Sequence, residues 1–223
     1  MTSGIKLSDL FDLGETIAKD VFCGCEYPWE VLPKINSFIL ELGKTLPQND
    51  YDHPAEDVWI ARTATIAPTA YIHGPCIVGR HAEIRHCAFI RGSAVIGEHA
   101  VVGNSTELKN VILFNQVQVP HYNYVGDSIL GFKSHMGAGS ITSNVKSDKS
   151  LVNIRIDNMT FKTDMKKVGA FLGDHVEVGC NSVLNPGTII GRNSMIYPLS
   201  LVRGYVPEES ILKQGGEIVR KNR

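Results

Sequence analysis

Branched aliphatic side chains recur at every sixth position through the middle of this 223-residue chain. The members of this series are Ile60, Ile66, Ile72, Val78, Ile84, Ile90, Ile96, Val102 and Leu108. A second series, mostly of small residues, stands two positions earlier: Val58, Ala64, Ala70, Cys76, Ala82, Ala88, Ala94, Ala100 and Thr106. Residues two apart on a strand share one side of it, so both series point into the same interior.

The six-residue repeat stops after Leu108 and returns in the last third of the chain. Its large positions there are Leu172, Val178, Leu184, Ile190, Ile196 and Val202, and their partners are Ala170, Val176, Ser182, Thr188, Ser194 and Ser200. Such a hexad is typical of a three-sided parallel β-helix. We therefore predict a mainly β fold, with a β-helix domain over 56–205 whose residues 18 apart lie about 4.8 Å above one another.

Composition narrows the functional classes. A formal net charge of −1 argues against a nucleic-acid surface, which needs a clear basic excess. No apolar run approaches the roughly 20 residues of a membrane span, and the charges in the first 20 positions do not fit a signal peptide. The five cysteines are an odd number, and Cys76 belongs to the inward series, so we expect free thiols and a cytoplasmic location. Cys23 and Cys25 have no second pair at zinc spacing, and no metal site is predicted.

The segments outside the repeat have other expected structures. Residues 1–55 are predicted to form a helical N-terminal segment and linker, with one short helix over 7–20 and a second from about Pro28. We expect this segment to cover an open end or flank of the coil, because a terminal coil exposes unpaired backbone groups. Residues 206–223 are expected to form a short tail, irregular or helical from Pro207.

The repeat fails between Asn144 and Lys167, which predicts a loop that leaves the wall. From 133 to 167 the basic residues are Lys133, Lys146, Lys149, Arg155, Lys162, Lys166 and Lys167, and the acidic ones are Asp148, Asp157 and Asp164. This local excess is compatible with a site for a phosphate-bearing ligand or with a solvated loop of mixed charge.

One predicted corner stacks His73, Arg91 and Lys109 on successive coils. Two adjacent cations repel each other, and an anion between them would remove that conflict. A phosphate fits, since Arg can bind two of its oxygens and Lys supplies a point charge. The alternative is a solvated stack in which Glu107 pairs with a cation.

A histidine follows in the block Pro120-His-Tyr-Asn-Tyr-Val-Gly-Asp127. The repeat slips here, so that Val119 and Val125 take inward positions and His121 lies outside the interior. An imidazole is suited to act as a general base near neutral pH.

Three blocks together resemble a known family. They are Gly103-Asn-Ser-Thr-Glu-Leu-Lys109, Pro120-His-Tyr-Asn-Tyr-Val-Gly-Asp127 and Gly137-Ala-Gly-Ser-Ile-Thr-Ser-Asn144. They resemble the acetyltransferase half of the bifunctional N-acetylglucosamine-1-phosphate uridyltransferase/glucosamine-1-phosphate acetyltransferase, and equally the archaeal sugar-1-phosphate nucleotidyltransferases with the same C-terminal half. The resemblance covers about 56–205, whereas the hexad alone is similar to the wider hexapeptide-repeat acyltransferase superfamily.

The resemblance implies a left-handed parallel β-helix that forms a homotrimer, with acetyl-CoA and an amino-sugar 1-phosphate bound between subunits. It implies that His121 is the catalytic base. The implied substrate-binding residues are Arg91, Lys109, Tyr124, His135, Asn144 and Lys167, and the implied acetyl-CoA-binding residues are Ala138, Cys180 and Pro198.

This chain departs from the family pattern at several of these positions. His135 stands in place of an asparagine, Cys180 in place of a serine and Pro198 in place of an alanine, and the loop before Lys167 is longer. The expected activity is N-acetyl transfer to an amino-sugar 1-phosphate such as glucosamine 1-phosphate, with backbone N–H groups near Gly137 or Gly139 stabilising the oxyanion. Nucleotidyl transfer is not expected, because the helical residues before the β-helix contain no glycine-rich phosphate loop.

Two other functions are compatible with this type of fold, and the sequence argues against the second of them. The β-helix could be a non-catalytic trimer that binds a sugar phosphate or assembles with a separate nucleotidyltransferase. A zinc hydratase of the γ-carbonic-anhydrase kind shares the solenoid, and His81 and His86 have a suitable spacing of five. That class needs a third histidine about 36 residues before the pair, where this chain has Thr45.

Overall fold

The computed structural model describes residues 5–156 and 159–221. It confirms the predicted fold class: the chain is a mainly β, left-handed parallel β-helix of about eight turns. Asp157, one of the acidic residues counted in the loop, lies outside the described residues. The α-helices are α1 (Leu7–Leu10) and α2 (Ile35–Thr45), and 3₁₀ turns span Leu13–Glu15, Lys19–Phe22 and Pro28–Lys34.

The strands are short, and most of them form the wall of the solenoid. In chain order they are β1 (Tyr51–Ala55), β2 (Val58–Ala61), β3 (Thr65–Ile66), β4 (Tyr71–Ile72), β5 (Cys76–Val78), β6 (Glu83–Ile84), β7 (Phe89–Ile90), β8 (Ala94–Ile96), β9 (Val101–Asn104), β10 (Glu107–Leu113), β11 (Gln118–His121), β12 (Tyr124–Leu130), β13 (His135–Met136), β14 (Ile141–Thr142), β15 (Asn153–Ile156), β16 (Met159–Lys162), β17 (Ala170–Leu172), β18 (Glu177–Val178), β19 (Val183–Leu184), β20 (Thr188–Ile190), β21 (Met195–Ile196), β22 (Leu201–Val202), β23 (Tyr205–Val206), β24 (Ser210–Leu212) and β25 (Ile218–Arg220).

Three faces result from the parallel pairing of these strands. Face 1 carries the stacked outward positions Trp59, Ile77, Val95, Ile112, Ile129, Phe171, Ile189 and Tyr205. Face 2 carries Thr65, Glu83, Val101, Gln118, His135, Glu177, Met195 and Ile211. Face 3 carries Tyr71, Phe89, Glu107, Tyr124, Ile141, Val183 and Leu201.

The interior continues through the region where the sequence repeat stops. Leu113, Val119, Val125, Leu130 and Met136 are all fully buried and take the large inward positions there. The spacing falls from six residues to five at two places, between 108 and 113 and between 125 and 130. Two coils are therefore 17 residues long, as the pairings of Ala94 with Val111 and of Val111 with Ser128 show.

The N-terminal segment differs from its prediction at 7–20, which is not one helix. It forms α1 and two separate 3₁₀ turns, because the Asp12 side chain accepts a hydrogen bond from the Gly14 N–H at 2.9 Å and starts a new turn. Asp and Gly both favour such turns over helix interiors. The second predicted helix is confirmed as α2, preceded by the 3₁₀ turn from Pro28.

The segment covers a flank of the solenoid, which is face 1. Helix α2 packs on β5, β8 and β10. Over the later coils, the segment inserted between Asn144 and Lys167 contributes the antiparallel hairpin of β15 and β16. Val152 and Ile154 of this insertion are buried. Phe161 of the hairpin lies with its ring centroid 5.7 Å from that of Trp29, so the two covering segments also hold each other.

The C-terminal tail was predicted to be irregular or helical, and this is wrong. Strand β24 pairs in parallel with β21, and β25 folds back on β24 as an antiparallel hairpin. The reason is that Ser210 and Leu212, two residues apart, are a further small and large inward pair, at 5% and 6% exposure. Among the residues that the structure describes, no helix is long and apolar enough to cross a membrane.

A buried carboxylate attaches the N-terminal segment to the solenoid. Asp174 is 4% exposed, and it accepts hydrogen bonds from the N–H groups of Asp12 and Phe132, each at 2.8 Å. Arg192 lies 3.3 Å from the same carboxylate. Burial, which outweighs these contacts, raises the pKa of the Asp174 carboxyl.

We predict that Asp174→Asn destabilises the fold by about 1–3 kcal/mol, because one amide oxygen cannot accept both N–H groups. The folded state holds the Asp174 proton more tightly than the unfolded chain. Its contribution to stability is therefore largest at acid pH and declines as pH rises from the usual value near 3.8 through the raised pKa. Urea unfolding of both proteins from pH 4 upward should show the stability difference shrinking with pH. A difference that grows with pH would contradict this account.

Candidate active site

The two shortened coils bring polar side chains together at the corner between faces 3 and 1. Asn110 and Asp127, at equivalent corner positions of consecutive coils, have left-handed φ angles of 54° and 49°. Asn and Asp tolerate this conformation better than most residues. Asn144 occupies the equivalent position one coil later, three residues after Ile141, which pairs with Tyr124. We call Asn110, Asp127 and Asn144 the corner stack.

Asp127 is the centre of the corner stack. The whole residue is 3% exposed. Its carboxylate accepts hydrogen bonds from Asn110 Nδ2 at 3.0 Å and Asn144 Nδ2 at 2.6 Å. The Lys109 ammonium forms an ion pair with it at 2.9 Å. Asn144 Nδ2 also lies 3.2 Å from the hydroxyl oxygen of Tyr124.

The predicted stack of Arg91 and Lys109 exists, since Arg91 N–H donates to the Leu108 carbonyl on the next coil. However, each cation is paired with a carboxylate. The expectation that Arg91 and Lys109 repel each other without compensation is therefore wrong. Arg91 pairs with Glu107 at 2.6 Å, as the alternative interpretation anticipated, and Lys109 pairs with Asp127. Two cations and two carboxylates make the corner neutral.

Lys167 adds a positive charge next to this corner. Its backbone forms an antiparallel bridge with Val145, and the adjacent Val168 N–H donates to the Asn144 carbonyl at 3.0 Å. Within residues 5–156 and 159–221, the exposed Lys167 side chain forms no ion pair. The inserted hairpin thus begins and ends beside the corner stack.

Tyr124 lies on face 3, between the corner stack and the turn that carries His121. It stacks above Glu107 on face 3 and contacts Asn144 through its hydroxyl group. Burial raises the pKa of Tyr124 above its usual value of 10.0, so the hydroxyl stays protonated and can donate a hydrogen bond.

His121 lies at the opposite edge of face 3, at the corner with face 2. Its backbone N–H donates to Asn123 Oδ1 at 3.0 Å. Asn123 is buried, and its amide donates to the carbonyls of Gly137 and Ser140 on the next coil. The buried Asn123 amide therefore fixes the turn that presents the exposed His121 side chain.

The acetyl-CoA candidates stack directly on His121. Backbone hydrogen bonds from Gly139 to His121, Asn181 to Ala138 and Leu199 to Cys180 define the register. We call the resulting stack the corner column; its residues are Asn104, His121, Ala138, Cys180 and Pro198. In the described part of the chain, the N–H groups of Ala138 and Cys180 have no protein acceptor, so they can bind carbonyl groups of a ligand.

The two glycines beside the expected oxyanion donors use their own N–H groups in hydrogen bonds between coils. The Gly137 N–H donates to the Val178 carbonyl at 2.7 Å, and the Gly139 N–H donates to the His121 carbonyl at 3.0 Å. Both groups belong to the ladder between coils. The N–H of Ala138, between these two glycines, has no protein acceptor in the described part of the chain, so an oxyanion donor near Gly137 or Gly139 stays a prediction.

His135 lies apart from the corner stack, on face 2. It pairs with Gln118, three residues before His121, which places its Cα roughly 11 Å from that of His121 by strand geometry. Its Nδ1 lies 2.8 Å from Glu177. The pair lines an open cleft of about 430 Å³, whose lining residues are Gln116, Gln118, Lys133, His135, His175 and Glu177.

The structure separates the histidines proposed for zinc. His81 stacks on His99 with ring centroids 4.8 Å apart, whereas His86 contacts Thr69 and Cys87. No group of three potential metal ligands comes together in residues 5–156 and 159–221.

Sequence analysis missed four residues that organise this region: Asn110, Asn123, Asp127 and Glu177. The signal for Asn110 and Asp127 was the shortened spacing of the large inward residues, which becomes visible when Leu113 and Leu130 are counted as members. Asn123 takes a small inward position, where a polar amide is unexpected. Glu177 gave no signal, because its contact with His135 spans 42 residues.

Similar proteins have bifunctional names. The chain is 37% identical over 118 residues to the bifunctional protein GlmU of Methanococcus maripaludis, and the matched region covers 53% of this chain and 28% of that protein. It is 34% identical over 101 residues to a bifunctional sugar-1-phosphate nucleotidylyltransferase/acetyltransferase of Sulfurisphaera tokodaii, covering 45% and 25%. The chain thus matches less than a third of the length of these relatives.

Solved structures show weaker similarity. A hexapeptide transferase family protein from Anaplasma phagocytophilum has a TM-score of 0.43 at 17% identity, covering 74% of this chain and 80% of that one. The acetyltransferase domain of PglB from Neisseria gonorrhoeae, in complex with acetyl coenzyme A, has a TM-score of 0.29 at 16% identity, covering 60% and 53%.

The resemblance expected from the three sequence blocks is confirmed by these relatives. The profile of the family described as the GMPPB C-terminal domain matches residues 72–195, more than half of the chain. The chain therefore belongs to the GMPPB C-terminal domain family, with the hexapeptide-repeat fold.

Proposed function

We propose that this chain transfers an acetyl group from acetyl-CoA to the amine of an amino-sugar 1-phosphate, such as glucosamine 1-phosphate, without nucleotidyl transfer. The observation that carries the proposal is the corner column, where the N–H groups of Ala138 and Cys180, one and two coils above His121, have no protein acceptor in the described part of the chain. The acetyl-transfer function in the name of a relative agrees with this reading.

The reaction needs no protein nucleophile. The amine attacks the thioester carbonyl, a C–N bond forms and the C–S bond breaks. His121 accepts the proton that the amine loses and returns it to the departing CoA sulfur. Positioning of the amine against the thioester supplies the remaining acceleration.

The ligand positions follow from the two sides of the His121 corner. The N–H groups of Ala138 and Cys180 bind carbonyls of the acetyl-CoA arm, beside Pro198. Across face 3, Tyr124 and Asn144 contact the sugar. Arg91, Lys109 and Lys167 bind its phosphate, and Lys167 supplies the positive charge that the neutral corner lacks.

We propose that the chain works as a homotrimer, with faces 2 and 3 in contact between copies. Around a three-fold axis each contact joins two different surfaces, and face 1 is covered by the chain itself. Apolar side chains are strongly exposed on and beside face 3: Tyr71 at 62%, Leu199 at 68% and Leu201 at 72%. This arrangement would bring His135 and Glu177 of one copy towards Tyr124 of the next.

This assignment also divides the chain by role. We propose that the β-helix domain of 56–205 carries the transferase site. Residues 1–55 cover its flank, and the tail from 206 closes its last coil.

We expect His121→Ala to lower kcat by about 10²–10⁴ without a comparable change in KM, because it removes the proton acceptor and no binding contact. The measurement is release of free CoA from acetyl-CoA with glucosamine 1-phosphate or galactosamine 1-phosphate. His86→Ala is a matched control, since Asn104 Nδ2 donates to the His86 carbonyl and His86 lies two coils away at the same corner. Its turnover should equal that of wild type.

Other outcomes separate the alternatives. Acetyl-CoA binding without turnover on either sugar would reject these acceptors. Absence of acetyl-CoA binding, measured by calorimetry, would favour the non-catalytic function. Formation of pyrophosphate from UTP and a sugar 1-phosphate would contradict the predicted lack of nucleotidyl transfer.

We expect the native protein to have about three times the 24.5 kDa mass of one chain by light scattering. Leu201→Glu should shift this mass towards 24.5 kDa, because it introduces a charge into the apolar contact. Leu151→Glu changes a residue of the inserted segment that covers face 1, at 43% exposure, and should leave the mass unchanged. Equal masses for wild type and Leu201→Glu would exclude this part of face 3 from the contact.

A further inference from the structure

A carboxylate outside the set assigned so far organises the phosphate end of the site. We propose that Asp127 is a positioning residue, which fixes the Lys109 ammonium and the Asn144 amide for an anionic sugar ligand. The identity of the ligand rests on the proposed function. The placement of Lys109 by Asp127 does not, and it can be tested separately.

The corner does not require an aspartate for its backbone. An asparagine tolerates the left-handed φ of 49° equally well, and Asn110 and Asn144 occupy the same position in the neighbouring coils. Burying a carboxylate costs free energy unless its partners compensate. Three donors converge on Asp127, and a carboxylate, with two oxygens that only accept, can satisfy all of them. We therefore explain the aspartate at this position by the side chains that its carboxylate holds in place.

The first group is the Asn144 amide. Since a carboxylate only accepts hydrogen bonds, the NH₂ end of Asn144 must face Asp127, and the same NH₂ also lies against the Tyr124 hydroxyl oxygen. Asn144 Oδ1 is left to accept from a ligand hydroxyl or amine. The Tyr124 O–H, whose oxygen accepts from Asn144, is left to donate.

The second group is the Lys109 ammonium. One of its three N–H donors engages Asp127, and two remain for a phosphate. The flexible Lys side chain would otherwise lose its rotamer freedom when the ligand binds, which weakens binding. Asp127 also neutralises part of the charge of Lys109, and this effect acts in the opposite direction. If neutralisation dominated, removing the carboxylate would strengthen anion binding, so the sign of the change identifies the role.

The test compares Asp127→Asn with Asp174→Asn. The second variant is a matched control, because Asp174 is also a buried carboxylate but lies away from the site, where it holds the N-terminal segment. We expect Asp127→Asn to raise the Kd for glucosamine 1-phosphate, measured by calorimetry, about 10- to 100-fold. KM for this sugar should rise likewise, and KM for acetyl-CoA should not change. Asp174→Asn should change neither constant. In a Lys109→Met background, Asp127→Asn should add much less to Kd than it does alone.

A second readout is independent of ligand and activity. Labelling of Lys109 by acetic anhydride, followed by peptide mass spectrometry, should be faster in Asp127→Asn than in wild type or Asp174→Asn. Equal labelling in all three proteins, or a lower Kd in Asp127→Asn, would overturn the proposal. If wild type binds no sugar phosphate, the proposed function fails, and the labelling rates still decide the role of Asp127. Should Asp127→Asn prove unfolded by circular dichroism, Asp127→Ser provides the same comparison.

Discussion

The fold depends on the packing of its interior, where each face of each coil contributes one large and one small side chain. Ile96 and Ala94 show the rule in the early coils, Ile190 and Thr188 in the late ones, and all four are fully buried. A change at such a position displaces close-packed neighbours above and below. Some corner side chains, such as that of His121, are exposed and are free of this packing constraint. Most of the candidate binding residues lie at two corners. Residue types can vary there, whereas the inward residues of the strands are constrained by their packing.

The site lies where the repeat loses a residue. Removing one residue from a corner in each of two consecutive coils keeps the strands in register, because β10 and β12 simply continue through the corner as seven-residue strands. It also brings Asn110 and Asp127 into one stack, from which the Asp127 carboxylate reaches Lys109 and Asn144. A departure from the local rule thus coincides with the polar cluster, as expected where function competes with regularity.

Sequence reasoning predicted the features that follow from spacing alone. The hexads gave the β-helix, and a count of 18 residues placed Arg91 over Lys109. It missed the pairing of Lys109 with Asp127, although the two are 18 residues apart, because the shortened hexads look like a loss of the pattern and hid the stack of Asn110, Asp127 and Asn144. The single helix expected over 7–20 failed for a different reason: turn formation at Asp12, whose N–H is bound by Asp174 across 162 residues, outweighs helical spacing. Contacts between distant segments of this kind leave no local signal.

The inserted hairpin connects the covered flank with the candidate site. Its ends meet in the bridge between Val145 and Lys167, so the solenoid resumes almost where it stopped, and the length of the insertion costs little. The hairpin contributes apolar side chains to face 1 through Ile154 and Phe161. The same geometry delivers Lys167 beside Asn144, at a corner whose other charges cancel. A neutral corner attracts an anion only weakly, whereas one additional cation at short range gives the corner a net positive charge. In the proposed function, electrostatic attraction of a phosphate to this corner therefore depends on Lys167, and through it on the packing of the hairpin against the N-terminal segment.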